Sequence, residues 1–205
     1  MKYLLYIVIL LAITSCKKEE TEKSFVNTDK LEDIKIHEGE IPGGFILFYE
    51  YLMKPDVEAS VQISQDWERD TIKNEMKMIE EDSVSLGESY VSFCYQTWYR
   101  SNRKEKIEIN TFICSSDNET DKIVELYTTK MYVQLFEVTD VPLVGDRSWI
   151  PNNSGLKNSS YSIMFLRANV FARIYVHLKE PYNEDVKVTV NNIANIVDAK
   201  ILSEI

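Results

Sequence analysis

Along residues 41–205 the apolar positions change period several times, and each change marks an element. Phe45 to Met53 is a near-continuous apolar run after Pro42-Gly43-Gly44, which predicts a buried strand closed by the turn Lys54-Pro55-Asp56. Val57, Ala59, Val61 and Ile63 then alternate with polar residues, as in a half-buried strand. From Asp66 to Glu81 strong helix formers carry Trp67, Ile72, Met76 and Ile79 on one side, which predicts a helix. Tyr90–Tyr99 and Lys106–Cys114 read as two strands joined by a turn at Ser101–Glu105. Ser116-Asp117-Asn118-Glu119 has the form of a capping box, and Ile123, Leu126, Tyr127, Met131 and Leu135 follow at helical spacing. Residues 138–160, with Pro142, Gly145, Pro151 and Gly155, read as a loop. Tyr161–Arg167 and Val170–His177 form a second hairpin around Ala168-Asn169, where asparagine tolerates a left-handed backbone. Asn183-Glu184-Asp185 caps a last helix with Val186, Val190, Ile193, Val197 and Ile201 as its apolar stripe. Strand pairs alternating with single helices predict an α+β fold, an antiparallel sheet built from strand-strand-helix units with helices packed on one face.

The apolar run Leu4–Ile13 is of a different kind. It follows Met1-Lys2, covers about 10 residues where spanning a bilayer takes roughly 20, and ends at Thr14-Ser15-Cys16. Ile13-Thr14-Ser15-Cys16 resembles the lipobox of bacterial lipoproteins, which implies that residues 1–15 are a signal peptide and that Cys16 becomes the acylated, palmitate-type N-terminus. Lys17, Lys18, Glu19 and Glu20 resemble the export signal of certain Gram-negative lipoproteins, which places such proteins on the outer face of the outer membrane. The alternatives are the periplasmic face and, for the charge run, a solvated tether alone. Residues 16–40 are polar, charged and short of aromatics, and read as a flexible tether before one domain at 41–205.

Charge narrows the partners. Removing residues 1–15 takes away Lys2 and no acidic residue, leaving 22 basic against 33 acidic side chains, a net charge of −11. That disfavours nucleic acid, and membrane contact beyond the covalent anchor. The 44% hydrophobic and 11% aromatic content supports a packed core rather than a disordered stalk.

Candidate chemistry is thin. Two histidines, His37 and His177, and the absence of HExxH, CxxC, P-loop, GxGxxG and GxSxG patterns offer no cofactor, no metal and no catalytic residue. Asp117, Glu119 and Asp121 lack the glycine and distal glutamate of a calcium loop and read as helix-capping acids. Pairing Arg100 with Glu108 brings Tyr99 to Ile109, Tyr95 to Ile113 and Cys94 to Cys114, so Cys94 and Cys114 are candidates for a disulfide in an oxidising compartment. Tyr49, Tyr51, Tyr99 and above all Trp98 and Trp149 are candidates for a binding face, with ordinary core packing as the alternative.

Val84-Ser85-Leu86-Gly87-Glu88-Ser89-Tyr90 is echoed by Val141-Pro142-Leu143-Val144-Gly145-Asp146-Arg147-Ser148-Trp149, which suggests an internal duplication of about 84–136 and 141–201. VPLVGDRSW, a hairpin with an Arg-Ala-Asn turn and a terminal amphipathic helix together resemble a broad group of bacterial lipoproteins and exported domains. Their pattern is a Pro-x-x-Gly-Asp-x-Ser/Ala segment, a strand, a Lys/Arg-Gly-Asn turn, a strand and a helix. Ala168 stands where that group often has glycine. The resemblance implies no catalytic residues, and Gly145-Asp146 itself reads as a tight turn whose carboxylate bonds nearby amides. The expectation is a membrane-anchored, non-enzymatic module that binds a protein or small ligand. An envelope- or glycan-directed hydrolase and an acidic inhibitor or immunity-type lipoprotein are the alternatives.

Overall fold

The computed structural model describes residues 25–54, 57–63, 91–100, 105–130, 135–137, 143–151, 160–178 and 185–205. The signal and export residues Met1–Glu20, the expected helix 66–81 and the echo segment 84–90 lie outside them. Eight strands form one antiparallel sheet: β1 (Phe45–Lys54), β2 (Val57–Ile63), β3 (Val91–Arg100), β4 (Lys106–Cys114), β5 (Leu135–Glu137), β6 (Arg147–Pro151), β7 (Ser160–Arg167) and β8 (Val170–His177). Their order is β2-β1-β3-β4-β8-β7-β6-β5, so the two long hairpins β3–β4 and β7–β8 make the centre. The helices are α1 (Leu31–Ile34), α2 (Asp117–Glu125) and α3 (Asp185–Ser203). The α+β class and the antiparallel sheet are as the periodicity predicts.

The sheet has two apolar faces, and the helices divide between them. Ile107, Ile109 and Ile113 of β4 alternate with Phe112, and the same alternation on β8 sets Ala172 and Ile174 against Phe171. Val186, Val190, Ile193, Val197 and Ile201 of α3 pack with the isoleucine side, each at most 1% exposed. Ile123 and Tyr127, from α2 and the π-turn Leu126–Lys130 that continues it, pack with Phe112 and Phe171 on the other side. Packing of the helices on one face therefore does not hold: α2 covers the opposite face from α3. An apolar stripe shows that a helix is covered, not which side of the sheet it covers. The α2 segment is also shorter than its spacing predicts, because Leu135 belongs to β5.

The β3–β4 register is slipped by three residues from the expected one. Arg100 donates its N–H to Glu105 O, its guanidinium pairs with the Glu105 carboxylate at 3.0 Å, and Thr97, not Arg100, lies across from Glu108. An odd slip inverts one strand's faces relative to the other. Cys94 now faces α3 opposite Thr111, while Cys114, opposite Val91, packs on the α2 side. The expected disulfide is thereby corrected: the sheet separates the two thiols, and both are free and buried. Burial pushes the Cys94 thiol well above its usual range and the Cys114 thiol up to about 12, the latter against a lowering hydrogen bond from Thr120. Neither is a nucleophile near neutral pH. We expect a maleimide to label neither Cys94 nor Cys114 in the native protein at pH 7, and both once urea unfolds it; labelling of either before unfolding would contradict the burial.

The second correction concerns residues 26–40. They are a strap built into the core, not a tether, because Val26, Leu31, Ile34, Ile36 and Ile41 are at most 5% exposed against the α3 face. Two side-chain amides hold it at its ends. Asn169 accepts from Val26 N–H at 2.8 Å and donates to Val26 O at 2.9 Å; Gln96 does the same to Ile36 at 3.2 and 2.8 Å. Lys35 bridges Glu32 and the buried Glu50, which Gln96 also contacts. These two carboxylates, through their hydrogen bonds, hold the Lys35 ammonium above its usual pKa despite burial.

Candidate functional site

The chemistry-bearing residues gather at one end of the sheet, around the turn between β7 and β8. A two-residue hairpin loop requires positive φ, and here Ala168 supplies it at 51° while Asn169 does not. The expected division of labour is thus reversed. Asn169 is 1% exposed and serves the strap and β4, its amide donating to Val26 O and Cys114 O. Left-handed backbone costs an L-residue roughly 1–2 kcal/mol, and glycine adds about 0.4–1 kcal/mol of unfolded-state entropy. Ala168→Gly should therefore raise stability by about 0.5–1 kcal/mol, seen as a higher urea midpoint with unchanged slope; a lower midpoint would mean the alanine methyl contributes packing.

Gly145 and Asp146 hold this turn from the side, as the sequence predicts. Asp146 N–H donates to Leu166 O at 2.6 Å; its carboxylate accepts from Ala168 N–H at 2.8 Å and from Arg167 Nη1 at 2.6 Å. Arg167 also grips Asp198 of α3 with Nε and Nη2, both at 2.8 Å, a bidentate pair. Asp198, then Asp146, push the guanidinium further up from its already high pKa. One arginine thus ties the hairpin, the Gly145 turn and α3 together.

Beside this knot lies an open cleft of about 570 Å³, within the size range of ligand sites. Its walls come from five separate stretches of chain: Phe25 at the strap's start, Asp117, Thr120 and Asp121 on the first turns of α2, Asp146 and Arg147, the turn Leu166–Ala168, and Leu202 with Ile205. Ser116 starts α2 by accepting from Glu119 N–H at 3.3 Å, while the Glu119 carboxylate turns back to Ser115 N–H at 2.9 Å. That cap fixes the first turn and sets Asp117 and Asp121, four apart, on one helix face. Phe25, Leu202 and Ile205 are 44, 52 and 46% exposed. Single exposed apolar side chains are ordinary, but three around one cleft form a patch.

The groups that could carry chemistry are already engaged or lie apart. Asp146 spends both oxygens on Arg167 and Ala168, so it is not poised to move a proton. His177 sits opposite Lys106, at the far end of the sheet from Cys114 and on the other face from Cys94, so neither of these cysteines pairs with it. Among the described residues no three His, Cys, Asp or Glu side chains cluster as a metal site would require.

Trp98 and Trp149 do not form a binding face. Trp98 is 0% exposed beneath the strap and α3, and Trp149 is 4% exposed on the α2 face beside Phe171 and Met164. The core reading holds for both. The sheet's α2 face also carries a polar ladder with Thr97, Glu108, Asn110 and Arg173, in which Thr97 Oγ1 and Asn110 Oδ1 have no hydrogen-bond partner among the described residues. Those two atoms have almost no accessible surface, so no ligand reaches them in this conformation; they cost stability instead.

Apart from Asp146, the cleft residues carry no signal strong enough to be picked out in sequence. Asp117 and Asp121 read as helix-capping acids, and Phe25, Leu202 and Ile205 as scattered apolar residues. The chain matches no protein-family model, and no curated protein is significantly similar to it.

Proposed function

We propose that this protein is a lipid-anchored, non-enzymatic binding module of the Gram-negative outer membrane, displayed on the cell surface. The observation that carries the binding reading is that the cleft and the anchored end of the chain coincide: Phe25, where the strap enters the fold, is itself a cleft wall. Eight residues lie between Cys16 and Phe25, which limits their separation to about 30 Å. Acylation of Cys16 would therefore hold the cleft close to the membrane, and a lipoprotein cysteine carries enough acyl chain for stable anchoring. No helix among the described residues is long and apolar enough to cross a membrane. The lipid on Cys16 is thus the membrane contact this reading requires.

Two measurements test it. Cells fed an alkyne-palmitate should label the wild type and not Cys16→Ala; equal labelling would remove the anchor. Protease added to intact cells should cut the wild type and spare a variant with Lys17, Lys18, Glu19 and Glu20 all changed to alanine. If neither is cut while lysed cells show cleavage, the domain faces the periplasm and surface display is wrong.

A further inference from the structure

We infer that the strap is an acid-sensitive latch: ion pairs along its seam with the sheet and α3 keep it closed near neutral pH, and protonation of their carboxylates opens it over Cys94. The latch lies outside the proposed binding role and needs no acylation. On this part of the sheet the cover is the strap. Its turns Thr28–Lys30 and Leu31–Ile34 touch β3, whereas α3 packs chiefly on β7 and β8. Ser92, Cys94 and Gln96 share this face of β3. Ser92 donates its hydroxyl to Thr28 O, Gln96 holds Ile36, and Cys94 between them is 1% exposed.

Ion pairs cross the seam between Lys30 and Glu204 at 3.1 Å, Lys35 and Glu50 at 2.8 Å, Glu32 and Lys54 at 3.6 Å, and Glu40 and Lys200 at 2.8 Å. Each contains one carboxylate, so acid removes the attraction and leaves the cation. At the part-exposed pairs that loss is small. Lys35 and Glu50 differ, because their side chains are only 13 and 5% exposed. Around them stand Glu32 of the strap, Lys54 of β1 through Glu32, and on β3 the neutral Gln96 amide and Cys94 thiol. Without the Glu50 charge, the covered ammonium keeps only the half-exposed Glu32, and an uncompensated buried charge is strongly destabilising.

The neighbouring carboxyls give the direction. Burial pushes Glu32 and Glu40 up, but Lys35 with Lys54 at the first, and Lys200 with the His37 N–H at the second, hold both below the usual 4.5. Their stabilisation is complete above that value and is lost as pH falls through the lowered ones. Lys35, its pKa raised, stays charged throughout. The Asn169 clamp at Val26 carries no ionisable group and is not part of the switch.

The two free cysteines lie on opposite faces of the sheet, which makes them the readout. The full chain is treated with dithiodipyridine, which takes thiols in acid, from about pH 6 to about pH 3, a range that spans carboxylate titration. Labelling of Cys94 and Cys114 is separated by peptide mass and divided by the rate in urea at the same pH. The relative rate at Cys94 should rise about a hundredfold on acidification, the scale of one broken buried ion pair, while that at Cys114 stays flat. Glu50→Gln, which removes the charge and keeps the shape, should speed Cys94 already at neutral pH and flatten its acid response. In Lys35→Met, protonating Glu50 relieves a buried charge instead of stranding one, so acid should no longer speed Cys94. Cys94 and Cys114 gaining reactivity together would mean that the fold opens as a whole, and would overturn the inference. So would Cys94 staying protected across the range, or responding to acid equally in wild type and Lys35→Met.

Discussion

Replacing Gly145 with alanine should destabilise the fold by about 2–5 kcal/mol, the sum of a left-handed backbone penalty of roughly 1–2 and an overpacking penalty of roughly 1–3. Gly145 has φ 71°, and a Cβ there would stand 2.5 Å from Leu166 O and 2.9 Å from Phe165 Cδ2. Relief by movement is blocked from both sides. Leu166 O accepts the Asp146 N–H at 2.6 Å and belongs to β7, while Phe165 is 0% exposed in the core. Gly44 provides the control: it has the same φ of 71° with nothing within 4 Å of its Cβ. Gly44→Ala should show only the backbone share, about 1–2 kcal/mol. Urea unfolding followed by tryptophan fluorescence measures both. Equal losses for the two substitutions would show that the turn yields, and that Asp146 does not depend on a fixed Gly145 to reach Arg167 and Ala168.

How much of this was legible depends on whether a feature is written locally. The α3 stripe of Val186, Val190, Ile193, Val197 and Ile201 is complete in the sequence because 19 residues repeat one period without a breaker. The β7–β8 hairpin is legible for a similar reason, since a two-residue loop leaves a single register. The β3–β4 strands are equally plain, yet their register is not. It depends on the connection between Arg100 and Glu105, and the attraction of aligning two sulfurs favoured a slip that the Arg100–Glu105 pair decides against. Strand β5 is hidden because Leu135 continues the helical spacing of Ile123 to Met131, and β6 because Pro142, Gly145 and Pro151 punctuate its segment like a loop, although Pro151 fits the end of a strand. The strap misleads through composition. Its charges are those of a tether, but Leu31, Ile34 and Ile36 are apolar at short intervals and are covered only because distant amides accept the backbone there. The candidate site shows the limit most clearly. Gly145-Asp146 is a local turn and reads correctly, whereas Phe25, Asp121 and Leu202 meet only through the fold, and no spacing along the chain connects them.

Asn169→Ala should cost about 3 kcal/mol and free the beginning of the strap, because one side chain closes three hydrogen bonds in a site 1% exposed. Leaving a buried backbone group unpaired costs roughly 1–3 kcal/mol. The costs differ between the partners. Val26 N–H and O regain water if the first residues of the strap peel away, while Cys114 O, at the end of β4, cannot follow them. Peeling would stop at the second clamp, where Gln96 still holds Ile36 and Lys35 still bridges Glu32 and Glu50. The expected signature is therefore graded. Amide exchange should accelerate at Val26 and through Thr28–Lys30, stay slow at Ile36, and remain unchanged in the middle of α3. Phe25 would leave the cleft with the strap, whereas Ala168→Gly, which alters the same turn and keeps the clamp, should leave exchange at Val26 slow. If exchange at Val26 stays slow, the apolar contacts of Leu31 and Ile34 alone seat the strap. Asn169 would then matter to the hairpin and not to the cleft, and the coupling between the strap and the cleft would fail at its first link.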